Sequence, residues 1–73
     1  MTSTPIATDP TLRPGDSGAA VIELQQLLNA KGLNITVDGV FGDATRAAVV
    51  QFQRQNGLVA DGVVGTQTWQ ALR

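Results

Sequence analysis

The chain has 73 residues, a formal net charge of −1, no cysteine and no histidine. That leaves room for one domain and removes disulfide staples, thiolate zinc sites and imidazole bases together. Five scattered basic residues (Arg13, Lys31, Arg46, Arg54, Arg73) argue against nucleic acid, and no apolar run approaches the roughly 20 residues of a membrane span.

Met1–Thr11 is rich in Thr, Ser and Pro, with Ile6 among them, and reads as a flexible leader or linker. It has neither a basic start nor an apolar stretch, so it does not read as a signal peptide. The ordered domain is predicted over 12–73. Gly15-Asp16-Ser17-Gly18 reads as a turn offering Ser17 as a helix N-cap. Val21, Leu24 and Leu28 then recur on one helical face, with Leu27 beside them and Glu23, Gln25 and Gln26 assigned to the opposite side. Gly32 suits a left-handed stop, with Leu33 folding back onto Leu28.

A second stripe, Thr45, Ala48, Val49, Phe52 and Asn56, ends at Gly57-Leu58. A short third helix fits Thr66 to Leu72, with Trp69 and Leu72 facing inward. The spacing therefore predicts an all-α, compact three-helix bundle with helices near 18–31, 43–56 and 66–72.

The two connections repeat each other. Asp38-Gly39-Val40-Phe41-Gly42-Asp43-Ala44-Thr45-Arg46-Ala47-Ala48-Val49 aligns with Asp61-Gly62-Val63-Val64-Gly65-Thr66-Gln67-Thr68-Trp69-Gln70-Ala71-Leu72 at an offset of 23, with six of twelve pairs identical. The predicted architecture is two pseudo-repeated Asp-Gly loop-helix units sharing the middle helix.

Asp38 and Asp61 could form the acid and base of a glycoside hydrolase. Their repeated Asp-Gly context favours turn-holding carboxylates, and duplicated turns do not split two pKa values. Thr45 and Thr68 recur too, and their hydroxyls are expected to bond turn or helix-start backbone. Gln25, Gln51, Gln53 and Gln55 read as an amide-rich helix surface. Of three aromatics, Phe52 and Trp69 sit at core spacing. Phe41 lies in a turn, where exposure on a binding surface stays open.

With both Asp-Gly-x-x-Gly-x-x-Thr segments in view, the sequence resembles the common peptidoglycan-binding domain family. The resemblance includes Leu12-Arg13-Pro14-Gly15, Val21–Asn29 and Ala48–Gln53, and it covers Leu12 to Leu72. Asp43 and Thr66 stand where that family often has proline. The resemblance implies a non-catalytic bacterial or phage module that attaches to cell-wall peptidoglycan and anchors a wall hydrolase or another protein. It also implies a cell-envelope or extracellular setting. No cofactor, metal, nucleic acid or membrane partner is expected.

The stem peptide is the expected handle. Gly42 and Gly65 lead into helix N-termini that attract carboxylates, and Arg46 adds a charge-assisted contact. The candidate ligand-binding residues are Phe41, Gly42, Thr45, Arg46, Gly65 and Thr68. The alternative is a repurposed protein-protein interaction or structural module within a larger assembly or enzyme, because the scaffold also resembles the prodomain region of matrix metalloproteinases.

Overall fold

Helices form where the apolar stripes require them: α1 (Ala19–Ala30), α2 (Asp43–Gln55) and α3 (Thr66–Leu72). The computed structural model describes residues 10–73. The predicted leader therefore falls outside the described residues, save for Pro10 and Thr11.

Both long helices end as their Gly-Leu signals predict. At the end of α1, Gly32 has φ 93°, its N–H donates to Asn29 O at 2.9 Å, and Leu33 N–H donates to Leu28 O at 3.1 Å. At the end of α2, Gly57 has φ 69°, with Gly57 N–H on Arg54 O at 3.3 Å and Leu58 N–H on Gln53 O at 2.8 Å. These paired bonds are the Schellman closure, and they satisfy carbonyls the helix leaves open.

The starts differ from expectation at one point. Ser17 is not the cap of α1; Gly18 is, at φ 117° and without a side-chain capping bond. Ser17 instead faces Val40 in an isolated antiparallel bridge. That pairing fixes the backbone direction into α1 and draws the serine away from the helix start. Glycines also cap α2 (Gly42) and α3 (Gly65), with extended backbone and no side-chain bond.

The core gathers Val21, Leu24 and Leu28 from α1, Ala48, Val49 and Phe52 from α2, and Trp69 and Leu72 from α3. Leu12, Phe41 and Val64 complete it from the connections. A seven-residue helix does not persist in water by itself, so α3 owes its existence to docking. Trp69 supplies most of that docking: it is buried, and its indole N–H donates to Pro10 O at 2.7 Å. Arg73 lies over the same ring at 4.9 Å and pairs with Glu23 at 2.7 Å.

Two short backbone pairings tie the segment before α1 to both Asp-Gly connections. Leu12 and Val64 exchange N–H···O bonds of 3.0 and 2.8 Å, while Phe41 N–H reaches Asp16 O at 2.9 Å and Gly18 N–H reaches Gly39 O at 3.0 Å. The helices and these ties place both Asp-Gly turns beside the flanks of α1 and α2.

Candidate functional site

Each Asp-Gly turn is held by a buried glutamine. At the first turn, Gln25 Nε2 donates to Asp38 Oδ1 (2.9 Å), Val40 O (3.1 Å) and Thr45 Oγ1 (3.0 Å), and Gln25 Oε1 accepts from Gly39 N–H at 2.8 Å. At the second, Gln53 Nε2 donates to Asp61 Oδ1 (3.3 Å), Val63 O (2.9 Å) and Thr68 Oγ1 (3.2 Å), and Gln53 Oε1 accepts from Gly62 N–H at 3.0 Å. One amide thus closes a turn and fastens it to the next helix.

Gln25 and Gln53 were expected on the surface, and the structure corrects this: they are 0% and 1% exposed. A signal was present. Gln25 stands four residues after Val21 and three before Leu28, and Gln53 stands four after Val49, so 3.6-residue periodicity puts both on the buried face. An amide there survives burial because its donors and acceptor are all used.

The carboxylates complete the turns. Asp38 Oδ1 accepts from Val40 N–H at 3.0 Å, and Asp61 Oδ1 accepts from Val63 N–H at 3.0 Å. The Val40 N–H and the Gln25 amide hold the Asp38 carboxyl below its usual range of 3.8. These bonds fit turn-holding groups at both positions.

The six candidate ligand residues do not form one site. Phe41, whose exposure the sequence left open, is 1% exposed and sits in the core, which argues against it as a direct ligand contact. Backbone bonds from Phe41 to Asp16 and Gly15 turn this loop residue inward. Thr45 and Thr68 are buried with their hydroxyls on the glutamine clamps, so they act on a ligand only through the turns. Gly42 and Gly65 are half-buried, with open space where a side chain would stand.

Arg46 is exposed and makes no ion pair with any described residue. Its side chain lies across the bare α-carbon of Gly62: a Cβ there would meet Arg46 Cγ at 3.2 Å and Nε at 3.3 Å. The missing side chain of the second turn is what lets a guanidinium lie beside it.

Two grooves mark the described surface, and Arg46 lines the second of them. One, of ≈ 270 Å³, is bounded by Gln53, Leu58, Val59, Asp61 and Val63 and by Gly65–Thr68 at the start of α3. Val59 on its rim is 75% exposed. The other, of ≈ 510 Å³, runs along the outer face of α2 and includes Arg46 and Arg54. Gly65 and Thr68 border the first groove and Arg46 the second. Sequence reasoning missed Arg54, Leu58 and Val59 as parts of these surfaces: Arg54 shares the exposed face of α2 with Arg46, and Leu58 and Val59 meet the start of α3 only in the folded chain.

Residues 17–72 match the family model described as "Putative peptidoglycan binding domain". The chain is 45% identical over 62 residues to the zinc D-Ala-D-Ala carboxypeptidase of Streptomyces albus G, covering 81% of this chain and 24% of that protein. The endolysin of Burkholderia phage AP3 superposes with TM-score 0.85 at 51% identity, over 86% of this chain and 24% of the endolysin. The SleB N-terminal domain superposes with TM-score 0.85 at 42% identity, over 89% of this chain and 90% of that domain. The chain thus spans about a quarter of the carboxypeptidase's length and most of an isolated domain.

Proposed function

The chain belongs to the peptidoglycan-binding domain family, a binding module for the cell wall, and from that premise we propose that it grips the wall's peptide stem rather than its glycan. The observation that carries this reading is Arg46, a solvent-facing guanidinium without an ion-pair partner among the described residues, beside the second Asp-Gly turn. Such a group suits carboxylates. Sugar recognition by stacking has no such support, since Phe41, Phe52 and Trp69 are all buried. One relative is named for the D-Ala-D-Ala end of a peptide.

The domain contributes attachment, and chemistry belongs to a tethered wall hydrolase. Supporting this division, the chain covers only 24% of the carboxypeptidase and of the endolysin it resembles. Both turn aspartates are also occupied with backbone bonds. Weak binding by one module suffices, because a tether to a repeating polymer raises the effective concentration of its cargo.

Sedimentation with purified, insoluble peptidoglycan tests attachment, and soluble fragments test the handle. The expected result is co-sedimentation, competition by free stem peptide, and no competition by peptide-free glycan. Binding should fall moderately with salt, since exposed charges are screened over about 8 Å at physiological ionic strength. Competition by bare glycan alone would overturn the peptide reading, and failure to sediment would favour a protein partner.

A further inference from the structure

We infer that the outer face of α2 is a two-point clamp that holds an extended acidic peptide by two carboxylates, one at Arg46 and one at Arg54. This rests on the peptide reading above and names the ligand geometry. The groove of ≈ 510 Å³ on this face is lined by Arg46, Ala47, Val50, Gln51, Arg54 and Gln55. No acid lines it, and neither arginine has an ion-pair partner among the described residues.

The spacing selects the ligand. Arg46, Val50 and Arg54 follow one another at four-residue intervals and form one ridge of the helix; Ala47, Gln51 and Gln55 form the ridge beside it. Eight residues of helix separate the two arginines by about 12 Å along the axis. An extended peptide advances about 3.3–3.6 Å per residue, so carboxylates three to four residues apart match that separation. Val50, half-buried between the arginines, gives an apolar floor. The exposed amides of Gln51 and Gln55 can donate to and accept from the peptide backbone lying between the anchors. Each guanidinium can take a carboxylate through two parallel N–H···O bonds.

The ligand class is therefore an extended peptide with two carboxylates three or four residues apart. The test titrates the 73-residue chain, followed by backbone amide NMR, with a synthetic wall pentapeptide carrying both carboxylates. Forms with one or both carboxylates amidated are titrated in parallel. Shifts are expected to cluster over residues 46–55, with each amidation weakening binding about threefold to tenfold. Arg46→Gln and Arg54→Gln should each lower affinity for the dicarboxylate to the level of a monoamide, and each should become insensitive to one of the two amidations. Thermal melts of both variants serve as the folding control. Arg54→Gln is the cleaner variant, because Arg46 also covers Gly62.

Parental affinity in Arg54→Gln, or shifts centred on the groove at Leu58–Thr68, overturns the clamp while leaving the peptide reading standing. A response to inorganic phosphate equal to that of the dicarboxylate overturns the peptide class. Response to bare glycan with none to any peptide overturns both readings.

Discussion

The turns at Asp38-Gly39 and Asp61-Gly62 are made from matching bonds, yet their surroundings diverge. Gln25 reaches the first turn from 13 residues away, and Gln53 reaches the second from 8. The first is sealed by backbone bonds from Gly15, Gly18 and Phe41 to the facing segments, and Ile22 lies over Gly39, where an added Cβ would meet Ile22 Cγ1 at 3.1 Å. The second has the Leu12–Val64 pairing on one side, while Arg46 and Val50 lie against Gly62 and a groove opens toward α3. One local device thus serves two ends. Where an aliphatic side chain covers the glycine, the turn only joins helices; where an arginine covers it, the turn borders a charged, accessible surface.

The largest expected effect falls on the second unit. Trp69→Ala should destabilise the domain by about 3–5 kcal/mol, since it empties a large core volume and leaves the Pro10 carbonyl without its indole donor. Chemical denaturation followed by circular dichroism measures it. If α3 stays docked at parental stability, the second unit is held by something other than its tryptophan.

The glutamine clamps sharpen the comparison directly. Gln25→Ala and Gln53→Ala should each cost about 2–4 kcal/mol, because several buried or half-buried polar groups lose their partner at once. The first should cost more, as three of its four bonds are shorter than their counterparts at the second turn. Equal melting temperatures for the two variants would show that bond length at the clamps does not distinguish the units.

A smaller change is expected from Gly32→Ala and Gly57→Ala. Each should lose about 1 kcal/mol from backbone strain alone, since nothing lies within 4 Å of an added Cβ at either position. Parental melts would mean that the Schellman closures relax without penalty.

The smallest effect is a pH dependence at the first turn. The Asp38 carboxyl is depressed below 3.8 in the folded state, so it binds protons less readily there than in the unfolded chain. Its contribution is complete above the unfolded value near 3.8 and is lost as pH falls through the lower folded value. Melting temperature measured downward from pH 5 should show a steeper acid decline in the parent than in Asp38→Asn. Identical slopes would remove Asp38 from the acid response.

Much of the fold was legible because helical periodicity and glycine stops are local. Val21, Leu24, Leu28, Val49, Phe52, Trp69 and Leu72 all lie inside as their spacing predicts. The surface was less legible. Polarity alone assigned Gln25 and Gln53 to solvent, although their positions on the helices shared the apolar stripe. Arg54 drew no notice, since a lone arginine in a helix is ordinary until its neighbours are known.

By itself, then, the sequence determined three helices, their left-handed stops at Gly32 and Gly57, and the repeated Asp-Gly turns. Each of these follows from propensities acting over a few residues of chain. Only the tertiary structure decided that Phe41 turns inward, that Gly18 rather than Ser17 starts α1, and that Arg46 lies over Gly62. Those outcomes depend on which distant backbone segment comes alongside. Phe41 is held by Asp16, and Arg46 lies over a turn 16 residues further along the chain. Burial and contact belong to the assembled chain, and a side chain's chemistry specifies its partner only once packing has brought that partner within reach.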